Sequence, residues 1–219
     1  MKAHEFIIDE EIIDEWSDIH SDIKKDLKKK GYKFLGSGVD QMAFLEPGSG
    51  LVLKIFGTQD YLHSKPDSFS DDHKMFFIWA KFCMKNPNNP FLPKFYGYES
   101  FVYDNCNYLQ IRQEQLKESG DIGDYVSSAS EYMRYGLSAK ELFALAKKQS
   151  KHDDGDDEDG YSEVIQCIQL LGEKGALLLL KTLEQLRAIG KEHKWIWDLH
   201  DENVMCRGKT PVIIDPWIA

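Results

Sequence analysis

Apolar residues in the first part of the chain recur as Ile8, Ile12, Trp16, Ile19, Ile23 and Leu27, a spacing of three to four positions that marks one stripe of a helix over Phe6 to Lys30. Lys28, Lys29 and Lys30 suit the negative end of that helix, and Gly31 can cap it. The rhythm then shortens. Tyr32 to Leu35, Met42 to Leu45 and Leu51 to Phe56 read as strands, separated by Gly36-Ser37-Gly38 and by the turn residues Glu46-Pro47-Gly48-Ser49-Gly50. This is the pattern of an antiparallel meander. A helix is predicted from Ser70 to Lys85, ending before Asn86-Pro87-Asn88-Asn89-Pro90, and two further strands over Lys94 to Tyr103 and Asn107 to Leu116.

From Asp121 onward the apolar spacing is helical: Gly123 to Arg134, Ser138 to Gln149, Ser162 to Leu171 and Lys174 to His193. A short strand pair, Asn203 to Cys206 and Pro211 to Ile214, follows. The expected fold class is α+β, with a 1–30 amphipathic helix, a β-rich lobe over 31–117 and a helical lobe over 118–219. Pockets commonly form where such lobes meet.

Composition narrows the function classes. With 42% hydrophobic residues and five Trp among 219 residues, the chain can bury a core large enough to offset chain entropy. Its longest purely aliphatic run, Ala176 to Leu180, falls far short of the roughly 20 residues a membrane span needs, so a soluble protein without membrane partners is expected. The N-terminus lacks the basic start, apolar stretch and cleavage site of a secretory signal, and Cys83, Cys106, Cys167 and Cys206 are widely spaced; both point to reduced thiols in a cytoplasm. A formal charge of −10 disfavours a nucleic-acid-coating surface. Half of that charge comes from the acidic segment 151–160, which reads as a solvated loop because it misses the offsets of a calcium loop.

Three places carry candidate chemistry. Gly36-Ser37-Gly38 opens neither a dinucleotide helix nor a Walker loop, since position 41 is Gln and no G-K-S/T follows. It fits a hairpin whose backbone covers phosphates, and equally a glycine bulge. In Leu51 to Phe56, alternation sends Lys54 to the same face as Val52 and Phe56, where an ammonium must reach water or meet an anion such as phosphate. The last place is the most specific: Asp198 and Asn203 stand in a D-x-x-x-x-N spacing, and Asp215 ends the apolar stretch Val212-Ile213-Ile214. Phosphoryl transfer needs a carboxylate to orient the attacking hydroxyl and accept its proton, and oxygen ligands to hold Mg²⁺ against the phosphates. Asp198 suits the first task, Asn203 and Asp215 the second. As turn and cap formers, all three residue types also suit a purely structural role.

Taken in order, Gly36/Gly38, Lys54, Asp198, Asn203 and Asp215 resemble the protein kinase-like superfamily. The D-L-H-x-x-N loop is similar to that of aminoglycoside phosphotransferases. Gly31 to Gly38, Asp198 to Met205 and Ile213 to Pro216 look most like the short Ser/Thr protein kinases of tailed bacteriophages. The resemblance implies a two-lobed kinase-like fold with a small antiparallel N-lobe and a reduced helical C-lobe. It also implies a phage-encoded enzyme acting in a host cytoplasm, which transfers the ATP γ-phosphate, with Mg²⁺, to Ser or Thr of a host protein. Asp198 and Lys54 would be catalytic, Gly36, Ser37, Gly38 and Lys54 would contact nucleotide, and Asn203 and Asp215 would hold metal. The resemblance further places an adenine-contacting hinge at Glu114 to Leu116.

The chain departs from the family at several positions. Ile196 and Trp197 replace the His and Arg before the catalytic Asp, and Pro216-Trp217 replaces the usual Phe-Gly after Asp215. The helix expected to give Lys54 a Glu partner has none, leaving Asp72 or Asp71 as the nearest acid. The His200 form of the loop keeps open a small hydroxyl-bearing acceptor, and the departures keep open a non-catalytic binding module. His200 is expected to brace the loop, and Trp195, Trp197 and Trp217 to serve packing.

Overall fold

The computed structural model of the protein describes residues 21–37, 41–56, 71–103, 106–150 and 161–218. The part of the N-terminal stripe before residue 21, Gly38, the acidic segment 151–160 and the side chains of Asp71 and Asp72 lie outside the described residues. The described elements are a mixture of helices and antiparallel strands. They fall into two units, Met1–Lys74 with Phe95–Gln115 and Met75–Lys94 with Leu116–Ala219.

In the first unit, helix α1 (residues 21–29) accompanies a five-stranded antiparallel sheet of β1 (Lys33–Ser37), β2 (Gln41–Leu45), β3 (Leu51–Phe56), β4 (Phe95–Tyr103) and β5 (Cys106–Glu114), in the order β1-β2-β3-β5-β4. Leu53 and Ile55 share a core with Met42, Phe44 and Tyr108, and Ile23 of α1 completes it, with Leu27 and Tyr32 packed alongside. Of the described part of the N-terminal stripe, Ile23 is therefore buried within this unit and Leu27 partly so. Lys54, between Leu53 and Ile55, takes the opposite face by strand alternation. The β2–β3 hairpin is closed by Glu46 N–H to the Leu51 carbonyl at 2.8 Å. The Glu46 carboxylate accepts from the Tyr32 hydroxyl at 3.1 Å and from Arg112 Nε at 3.4 Å, tying the start of β1 to β5. Hydrogen bonds from Ser49, Tyr32 and Arg112 outweigh its partial burial and hold that carboxyl below its ordinary range.

The second unit takes the larger part of α2 (Asp71–Lys85), then α3 (Asp121–Tyr132), α4 (Ala139–Gln149) and α5 (Ser162–His193). Helix α3 begins two residues before the expected Gly123, with Asp121 and Asp124 favourably placed at its positive end, and tightens into a 3₁₀ turn over Met133–Tyr135. Ser138 and Glu141 form a reciprocal capping box at the start of α4. Gly172 breaks α5 with φ 71° and ψ 164°, in the gap between the two helices the sequence predicts. Strands β6 (Lys117–Glu118), β8 (Val204–Arg207) and β9 (Thr210–Ile213) form one sheet in the order β6-β8-β9, and β7 (Ile196–Trp197) pairs with β10 (Trp217–Ile218) in a separate ribbon. The sequence pattern misses β6, β7 and β10, because a two-residue strand has no alternation to read. Cys83, Cys167 and Cys206 are free and buried. Among the described residues, no helix is long and apolar enough to cross a membrane.

Residues 75–94 fall inside the lobe that the sequence assigns to 31–117, yet they group with the second unit. The contacts explain why. Trp79 packs edge-on against Trp217 and donates its indole N–H to the Ile214 carbonyl at 3.0 Å. Ile213 N–H donates to the Phe91 carbonyl, and the Arg207 guanidinium donates to the carbonyls of Pro90 and Leu92. Trp217 itself is only 1% exposed, and its indole N–H donates to the Leu186 carbonyl of α5 at 3.1 Å. It sits against Gly190, where a Cβ would come within 2.6 Å of the indole nitrogen. Gly190→Ala is therefore expected to displace Trp217 and destabilise the protein by about 1–3 kcal/mol, the usual cost of overpacking a filled core; urea denaturation of variant and wild type measures it.

Candidate functional site

The first unit carries the phosphate-facing candidates. Gly36 and Ser37 end β1, where the register with β2 slips between Phe34 and Gly36, so a bulge does occur in this strand. Gly36 does not adopt a left-handed backbone, and no described atom lies within 4 Å of a Cβ built there. Neither chain conformation nor packing against the described residues therefore explains the glycine. Lys54 lies on the central strand, paired with Ala43 on one side and Ile111 on the other, and is 8% exposed. Glu114 ends β5 opposite Leu51, and the first unit stops at Gln115; Leu116 is buried in the second unit.

The second unit brings Asp198, Asn203 and Asp215 to one junction, and backbone hydrogen bonds do most of the work. The β7–β10 ribbon pairs Trp197 with Trp217 and Ile196 with Ile218. Asp198 N–H extends that pairing by donating to the Pro216 carbonyl at 3.0 Å, which sets Asp198 beside the Asp215-Pro216 step. The chain then turns through a short 3₁₀ segment, Asp201–Asn203, closed by Asn203 N–H to the His200 carbonyl at 3.1 Å. Ile214 N–H donates to the Asn203 carbonyl at 2.9 Å, which draws Asn203 to the residue preceding Asp215.

Side chains complete the loop. Asn203 Nδ2 donates to the Asp198 carbonyl at 2.8 Å and lies 3.0 Å from His200 Nε2. That ring nitrogen accepts from the amide in the tautomer whose proton sits on Nδ1, which lies 3.8 Å from Asp201 Oδ1. In that tautomer both amide hydrogens of Asn203 stay within the loop, and among the described residues no hydrogen bond reaches its Oδ1. His200 Nε2 is also 3.9 Å from Asp198 Oδ2, and the Asp198 side chain is 39% exposed, accessible to a reacting group. Helix α3 backs the loop closely: a Cβ at Gly123 would lie 3.1 Å from the Asp201 carbonyl oxygen.

Among the described residues, no group of three or more His, Cys, Asp or Glu side chains gathers to hold a metal ion. Asn203 and Asp215 carry oxygen donors of the type that Mg²⁺ takes when phosphate and water supply its remaining ligands. The brace that sequence reasoning missed is Trp79, whose indole fixes the Ile214 carbonyl one residue before Asp215. In the sequence it is one more apolar residue on a helix, and nothing in that pattern reveals a hydrogen bond to a residue so distant in the chain.

No protein-family model matches the chain, and no curated protein matches it.

Replacing Asn203 with Ala removes the amide link between Asp198 and His200 while leaving the backbone bonds. The expected cost is about 1 kcal/mol, confined to the loop, read as roughly five-fold faster hydrogen exchange at the amides of Asp198 and Ile214 with little change in global stability.

Proposed function

We propose that the protein is an ATP- and Mg²⁺-dependent phosphotransferase of the kinase-like type, a minimal Ser/Thr protein kinase acting on a protein hydroxyl. The observation that carries this reading is the junction in the second unit, where Asp198, Asn203 and Asp215 are fastened together by the ribbon and the 3₁₀ turn. The Asn203 amide braces that turn, and its oxygen is the donor this reading assigns to the metal. The donor set fits a hard divalent cation, which takes few ligands from protein and the rest from phosphate and water.

In this reading each residue has a task set by its chemistry. The half-exposed Asp198 carboxylate would orient the acceptor hydroxyl and accept its proton as the oxygen bonds to the γ-phosphorus and the bond from that phosphorus to the departing ADP breaks. Asn203 Oδ1 and the Asp215 carboxylate hold the metal. Lys54, on the central strand of the first unit, contacts the phosphates as a compact point charge. Gly36 keeps the β1 backbone bare where phosphate oxygens approach. The chemistry supplied by Mg²⁺–ATP, when bound, is the transferable phosphoryl group with its charge neutralised. A phage origin and a host-protein acceptor follow from the sequence resemblance.

A second reading, a kinase for a small hydroxyl-bearing compound, is favoured by His200 and its contact with Asn203, the aminoglycoside-kinase form of the loop. Incubation with γ-labelled ATP and Mg²⁺, alongside a bacterial lysate in one arm and a panel of aminoglycosides and other alcohols in another, separates the two. Wild type is expected to label protein Ser or Thr, and Asp198→Ala to label about 10²–10⁴-fold more slowly with ATP binding retained. Nucleotide binding without transfer to any acceptor would overturn the enzyme reading in favour of a binding module.

A further inference from the structure

The second unit contains a cavity of about 490 Å³ that the proposed chemistry does not use. It lies among the 3₁₀ turn after α3, the last turns of α5 and the β7–β10 ribbon, and its volume falls within the roughly 300–1,000 Å³ of small-ligand pockets. Every charged residue lining it is a cation, Arg134, Arg187 or Lys191, in a chain whose formal charge is −10. Its apolar wall includes Trp195 and Trp197.

The cations differ in their commitments. Arg134 donates to Glu131 at 2.8 Å on the surface. Arg187 is only partly exposed, and no described carboxylate lies within ion-pair distance of it. One of its five N–H groups donates to the Ser130 carbonyl at 2.9 Å, and its guanidinium lies 5.0 Å above the Trp197 ring. Trp197 in turn donates its indole N–H to the Ser130 hydroxyl at 3.3 Å, so one fully buried serine positions both walls of the cavity. Burial pulls the guanidinium below its ordinary pKa; Glu131 opposes this and Arg134 reinforces it. A desolvated, held guanidinium with unused donors, beside two further cations, is matched by a doubly charged oxyanion, which Arg can bind through paired N–H groups. The indole rings suit a planar or apolar group carrying that anion.

We propose that this cavity is a binding site for a phosphate monoester carried on an aromatic or apolar body, with Arg187 as the principal anion ligand, Arg134 and Lys191 as supporting charges, and Trp195 and Trp197 as the walls against the body. The ester could come from a free small molecule or from a phosphorylated side chain of a polypeptide. The proposal does not depend on the phosphotransferase reading and is tested without nucleotide.

The test is a titration of ¹⁵N-labelled protein with phenyl phosphate, inorganic phosphate and a short phosphotyrosine peptide, following the indole N–H signals. Phenyl phosphate is expected to shift the Trp195 and Trp197 signals saturably, about tenfold more tightly than inorganic phosphate, and Arg187→Met to weaken it by about tenfold or more. Peptide binding tighter than phenyl phosphate assigns the ligand to a polypeptide, and weaker binding assigns it to a small molecule. If Arg187→Met does not fold, Lys191→Glu, an exposed substitution, must weaken phenyl phosphate several-fold. No saturable shift in wild type, or unchanged affinity in the folded variants, overturns the proposal.

Discussion

Two residues near the end of the chain, Trp217 and Ile218, pair with Ile196 and Trp197, and the geometry of the candidate site depends on that pairing. A two-stranded ribbon this short has little stability alone. What holds it is the buried indole of Trp217, bonded to the Leu186 carbonyl, pressed against Gly190 and met edge-on by Trp79. Burial of a large aromatic side chain contributes on the order of 4–6 kcal/mol as an upper estimate, enough to fix a ribbon whose own hydrogen bonds give only modest net stability. The same ring lies two residues after Asp215, and its partner Trp197 lies one residue before Asp198. Packing force and candidate chemistry are thus separated by one or two residues of backbone.

Much of the architecture is legible in the sequence because long elements carry their own period. Strand β3 has the expected bounds, α2 and α4 differ by a residue at the start, and the break in α5 falls at Gly172 between the two predicted helices. The spacing of Asp198, Asn203 and Asp215 is equally visible. What assembles them is not, because β7 and β10 are too short for any pattern and the Trp79 bond joins residues far apart in the chain. The role of residues 75–94 is hidden for the same reason. Nothing local in a helix followed by Asn-Pro turns indicates that its carbonyls will receive Arg207 and Ile213. Of the three tryptophans read as packing residues, all border the cavity, but Trp217 is buried in the core while Trp195 and Trp197 are partly exposed.

Net charge conceals a local separation. The chain is acidic overall, yet the described cavity in the second unit is lined by cations, and the carboxylates of the catalytic candidates belong to the loop next to it. Trp197 ends β7, and Asp198 follows it directly. One short segment therefore supplies both a candidate carboxylate and a wall of the cation-lined cavity.

The division into two units carries a further consequence. The first unit takes residues on both sides of the 75–94 segment, and the second takes that segment together with everything from Leu116 onward, so the polypeptide crosses between them at 74/75, 94/95 and 115/116. Units threaded in this way are not transplantable modules: no single cut separates one from the other. Excising the sheet at residue 115 would carry away Trp79, Phe91 and the carbonyls that Arg207 grips, leaving the other unit with an exposed tryptophan cluster and an Arg207 that has lost the Pro90 and Leu92 carbonyls. Recombination or truncation within such a chain is tolerated only where both units are inherited together.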